Sequence, residues 1–145
     1  MQSSFLFFGA LSALVGVGMG AFGAHGLKNM ISPEMLAVYQ TGVSYQMWHA
    51  LGLIGIALVR RHEPESKLLN WAGWLMLIGT VLFSGSLYLL AIMDKKELGI
   101  ITPFGGVSFL LAWLLLAVYA ARIPPSGRYS KLHEPKSTGK TGRLG

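Results

Sequence analysis

The stretch Met35–Val59, MLAVYQTGVSYQMWHALGLIGIALV, runs for 25 residues without an Asp, Glu, Lys or Arg. A soluble domain takes about a quarter of its residues from those four types. A membrane-spanning helix needs about 20 mainly apolar residues. Three more runs of the same kind flank it: Met1–Leu27, Leu68–Met93 and Leu98–Ala121, of 27, 26 and 24 residues. The 12 basic and 6 acidic residues of the 145-residue chain all fall at positions 28–34, 60–67, 94–97 and 122–143. Only a helix or a closed barrel satisfies its own backbone polar groups in lipid, and runs of this length suit helices. The connecting segments of seven, eight and four residues make consecutive helices antiparallel neighbours.

The fold expected is therefore an all-α integral membrane protein, an antiparallel four-helix transmembrane bundle. Residues 1–122 form its membrane domain, with spans at about 4–27, 34–59, 68–93 and 99–121. Residues 123–145 are mostly Gly, Ser, Thr, Lys and Arg with little to bury, and read as a disordered basic cytoplasmic tail. A water-soluble globule is excluded. So is a nucleic-acid-binding domain, because the net charge of +6 resides mostly in that tail and not in a basic stripe on a folded surface. With no cysteine there is no disulfide, iron–sulfur cluster or thiolate metal site. The apolar stretch Phe5–Phe22 exceeds a signal-peptide core and follows no Lys or Arg, so it is expected to remain as a span.

Lys and Arg set the orientation. The side shared by the N-terminus, the 60–67 loop and the tail carries nine, whereas the other carries Lys28, Lys95 and Lys96. Both termini are expected in the cytoplasm. Ser32-Pro33-Glu34 is a helix start, with a capping hydroxyl, proline in the first turn and an acid beside it, and Thr102-Pro103 repeats the entry chemistry. The second helix, about 40 Å long, exceeds a hydrocarbon core of about 30 Å, so it tilts, kinks near Gly42 or projects from the membrane.

Two features of the spans carry structure or chemistry. Gly9, Gly16, Gly20 and Gly23 lie on one seam of the first helix, where small residues let two backbones approach closely. The uncharged polar residues His25, Gln40, Thr41, Tyr45, Gln46, His49, Ser84, Ser86, Tyr88 and Thr102 gather in the half of the bundle away from the 60–67 loop. They make a candidate polar pocket; the competing explanation is hydrogen bonding between helices, at about 0.6 kcal/mol per contact. No cofactor and no metal is expected. No carboxylate lies within a charge-free run, and His25 and His49 stand too far apart in depth to grip one iron. No nucleophile has both a base and an orienting acid, so no enzymatic activity is expected.

Four motifs occur in order, one per span: Gly20-Ala21-Phe22-Gly23-Ala24-His25-Gly26; Thr41-Gly42-x-x-Tyr45-Gln46-x-x-His49; Leu82-Phe83-Ser84-Gly85-Ser86-x-Tyr88; and Thr102-Pro103-x-Gly105-Gly106-x-x-Phe109. Over about residues 5–121 the chain resembles the small YgdD-type membrane proteins, a family with a domain of unknown function and a related animal transmembrane protein. The resemblance implies a four-helix protein of the bacterial inner membrane and implies no activity. The role expected is a non-enzymatic structural or accessory membrane component. The alternative is a small-solute or ion permeation or binding unit using the polar pocket. Its partners would be the lipid bilayer and either further copies of itself or a larger membrane complex, with no nucleic acid.

Overall fold

The computed structural model describes residues 2–123, and among these it contains four long helices and no strand. Helix α1 (Gln2–Phe22) runs on into one π-turn (Gly23–Leu27), and α2 (Pro33–Arg60) and α3 (Lys67–Met93) follow. A 3-10 turn (Lys96–Ile100) then leads into α4 (Thr102–Arg122). All four are long and apolar enough to cross a membrane. The tail expected at 123–145 lies, apart from Ile123, outside the described residues.

The starts of the helices follow local chemistry. The Met35 amide donates to Ser32 Oγ at 3.2 Å with Pro33 in the first turn, and the Leu69 amide donates to Ser66 Oγ at 3.5 Å. These bonds satisfy amides that have no partner within their own helix. α3 stops at Asp94, which adopts the left-handed conformation (φ 51°) that commonly ends a helix. The fourth helix starts at Thr102, the preceding residues of its expected span, from about 99, being wound as the 3-10 turn. Pro103, which has no amide hydrogen, sits in its first turn. α2 passes through Gly42 without a break.

Each helix packs chiefly on its neighbours in sequence, so α2 and α3 form the central pair. α1 reaches across to α3 through Phe5, whose ring meets Trp74 edge-on at 5.7 Å. α4 reaches α2 through Phe109 and Trp113. The glycine seam of α1 lies on α2: a Cβ at Gly9, Gly16, Gly20 or Gly23 would stand 2.7–3.4 Å from Ile54, Met47, Val43 and Tyr39 in turn. These partners run backwards along α2, as an antiparallel crossing requires. The seam thus serves packing within the chain. α3 and α4 come close together at Gly105, where a Cβ would strike the Phe83 backbone.

Two apolar cores result. Near the α2–α3 loop, Phe5, Leu53, Ile56, Leu69, Ala72, Met76, Ala112 and Tyr119 unite all four helices. Near the opposite end, Leu27, Tyr39, Tyr88 and Ala91 join α1, α2 and α3.

Candidate functional site: two polar clusters within the bundle

The buried stripe of α2 includes Tyr39, Gly42, Gln46, His49, Leu53, Ile56 and Arg60. Its steps of three and four residues keep one helix face turned inward. Polar and apolar positions share that face; Tyr39, Gln46 and His49 find partners on other helices, and Arg60 finds one in the following loop.

On the side facing α1, the Gln46 amide nitrogen donates to Ser12 O at 2.8 Å, and Tyr88 Oη donates to Gln46 Oε1 at 2.7 Å. The Tyr88 ring lies 4.9 Å from that of Tyr39, whose hydroxyl donates to Met19 O at 2.9 Å. A hydrogen-bonded path therefore ties α1 to α2 and α2 to α3. Gly23 opens the way for it: the Tyr39 ring lies where a Cβ would be, 2.7 Å away, at the first residue of the π-turn.

On the side facing α4, the His49 ring stacks on Phe109 with centroids 3.4 Å apart and planes within 10°. Trp113 Nε1 donates to His49 Nε2 at 3.1 Å, and His49 Nδ1 lies 2.7 Å from Tyr45 O. Because an indole nitrogen can only donate, Nε2 must accept, which puts the ring proton on Nδ1 facing the Tyr45 carbonyl. Both ring nitrogens are thus engaged, and neither is free to bind a metal. Tyr45 stacks on Phe83 at 4.5 Å, so the imidazole sits within an aromatic cage.

The ten residues expected to form one pocket divide into separate groups. Gln46 joins Tyr88, and His49 joins the half-buried Tyr45. Ser86 Oγ and Thr102 Oγ1 lie 2.8 Å apart, joining α3 to α4. Ser84 is 1% exposed, and its hydroxyl has no hydrogen-bond partner among the described residues. His25, Gln40 and Thr41 are exposed and join none of these groups. Thr41 Oγ1 donates to Ala37 O of its own helix at 3.0 Å. The reason is rotation: at about 100° per residue, Gln40 lies about 120° around α2 from Gln46, and Thr41 about 80° from His49.

Two shallow cavities flank the clusters. One, of about 330 Å³ between α1 and α3, has Gln46 and Tyr88 among walls made chiefly of Phe8, Leu11, Val15, Leu77 and Val81. The other, of about 420 Å³, is lined by Tyr45, Trp48, His49, Phe83, Phe109 and Trp113. Neither contains a carboxylate or a cation. Among the described residues Ser84 has no base within hydrogen-bond reach, which a serine nucleophile would need for activation.

Tyr39 and Trp113 complete the two clusters and were absent from the expected set. Tyr39 was findable, because it continues the spacing of Gly42, Gln46 and His49 back by one step. Trp113 carries no such signal, since a tryptophan in a span also reads as a lipid-facing anchor.

Fold and clusters together define a small polytopic membrane protein whose buried polar side chains bridge its helices. Residues 19–106 match the model of DUF423, proteins of unknown function, and the chain belongs to that family. It is 48% identical over 118 residues to the UPF0382 membrane protein YwdK of Bacillus subtilis, covering 81% of this chain and 96% of that one. A UPF0382 membrane protein of Staphylococcus saprophyticus is 46% identical over 119 residues, covering 82% and 98%. One from Staphylococcus epidermidis is 47% identical over 114 residues, covering 79% and 92%. No solved structure matches the chain.

Proposed function

We propose that this protein is a non-enzymatic structural or accessory component of a bacterial inner membrane, with both termini in the cytoplasm. The observation that carries the proposal is the pairing of the buried polar groups. Gln46, His49, Tyr88, Ser86 and Ser108 each bond to another helix, so these polar groups are spent on joining helices. Near the α2–α3 loop an apolar core contributed by all four helices packs that half. The excess of Lys and Arg on the N-terminal and tail side supports the orientation. The likeness to YgdD-type proteins and their animal relative belongs to the same reading. The exposed outer faces of α1 and α4 leave room for further copies of the chain or for a larger membrane complex.

A second reading, a small-solute or ion permeation or binding unit, draws support from the cavity between α1 and α3, where Gln46 and Tyr88 meet otherwise apolar walls. Flux measurements separate the two. Proteoliposomes containing the protein are expected to pass protons, potassium and small polar solutes no faster than protein-free vesicles. A flux that Gln46→Leu or His49→Ala abolishes would replace the structural reading with the permeation one.

A further inference from the structure

We propose that the α2–α3 loop end of the bundle holds a binding site for the phosphate group of an anionic phospholipid. Lys67 is the first residue of α3 and Arg122 the last of α4, so the antiparallel packing of these two helices brings both cations to one place. They line a single cavity of about 340 Å³. Among the described residues Glu63 is the only acid in its wall, which leaves their lining net positive.

The other walls favour a lipid over a free ion. Leu68 and Ile123 give the cavity an apolar side next to its cations, as a glycerol backbone and the start of an acyl chain require. Trp71, 62% exposed, lies one turn further along α3, and Trp74 follows it. Tryptophans in that position commonly mark the headgroup level of a bilayer. Basic pockets between spanning helices at that level suit anionic headgroups, and each Lys or Arg near the surface contributes a roughly fivefold gain in affinity.

The test uses the full chain in a neutral detergent, titrated with phosphatidylglycerol, phosphatidylcholine or inorganic phosphate and followed by tryptophan fluorescence. Phosphatidylglycerol is expected to bind at least about tenfold more tightly than phosphatidylcholine, and inorganic phosphate far more weakly than either. The double variant Lys67→Ala/Arg122→Ala is expected to bind phosphatidylglycerol about 30-fold more weakly. Glu63→Gln removes the opposing charge and is expected to tighten binding, which keeps the proposal testable if the double variant fails to fold. Changing Arg128, Lys131, Lys136, Lys140 and Arg143 of the tail to Gln is expected to leave the preference intact. Equal binding of the two lipids, binding of inorganic phosphate as tight as that of phosphatidylglycerol, or a preference that disappears with the tail charges would overturn the proposal.

Discussion

Replacing Gly105 by alanine should separate α3 from α4. A Cβ there would stand 2.8 Å from Phe83 Cα and closer still to the Phe83 amide nitrogen. Both are backbone atoms, so no change of rotamer relieves the contact and the helices themselves must shift. Overpacking a core costs about 1–3 kcal/mol, and a backbone collision belongs at the upper end. Alanine returns about 1 kcal/mol through its better helix propensity. The net expectation is a loss of about 2 kcal/mol. Gly55→Ala is the matched control, because nothing lies within 4 Å of its Cβ position; it should be neutral or gain up to about 1 kcal/mol. Equilibrium unfolding of the purified protein in mixed micelles, titrated with a denaturing detergent, reads both. Equal stability of the two variants would refute the close approach at Gly105.

Three further outcomes follow from the clusters. Trp113→Phe keeps an aromatic ring beside His49 but removes its donor, and should cost about 0.6 kcal/mol in the same unfolding assay. Ser84→Ala removes a buried hydroxyl that has no partner among the described residues, and should stabilise by about 1 kcal/mol; a loss instead would reveal a partner for it. The triple variant His25→Ala/Gln40→Ala/Thr41→Ala changes only exposed side chains and should stay within about 0.5 kcal/mol of the parent protein, measured by thermal unfolding.

The spans were legible because charge is costly in lipid: Arg60, Lys67 and Arg122 stand at helix ends, where the charge-free runs stop. The glycine seam was legible too, since small residues spaced by three and four have one obvious use in lipid. The pairing of the polar groups was not. Gln46, Tyr39 and Ser108 bond to the backbone carbonyls of Ser12, Met19 and Leu75, and every residue type presents such an acceptor. Nothing in the letters distinguishes those three. Counting the polar residues of one half as a single set also ignored their angle around the helix, which sends Gln40 and Thr41 away from Gln46 and His49. The burial of Arg60 escaped notice for a related reason. Its guanidinium donates from Nη2 to Pro64 O at 3.1 Å and lies 5.4 Å from the centre of the Phe5 ring, contacts made by a loop and by a distant helix.

The central claim is that buried polar side chains hold these helices together, and a double-mutant cycle on Gln46 and Tyr88 tests it most directly. The two side chains share one hydrogen bond of 2.7 Å in the buried interior. Unfolding free energies of the parent, Gln46→Leu, Tyr88→Phe and the double variant isolate that bond from the other contacts of each residue. A coupling of about 0.6–1.7 kcal/mol is predicted, the range found for polar contacts between membrane helices. Strict additivity of the two substitutions, with no loss of stability in either single variant, would contradict the account.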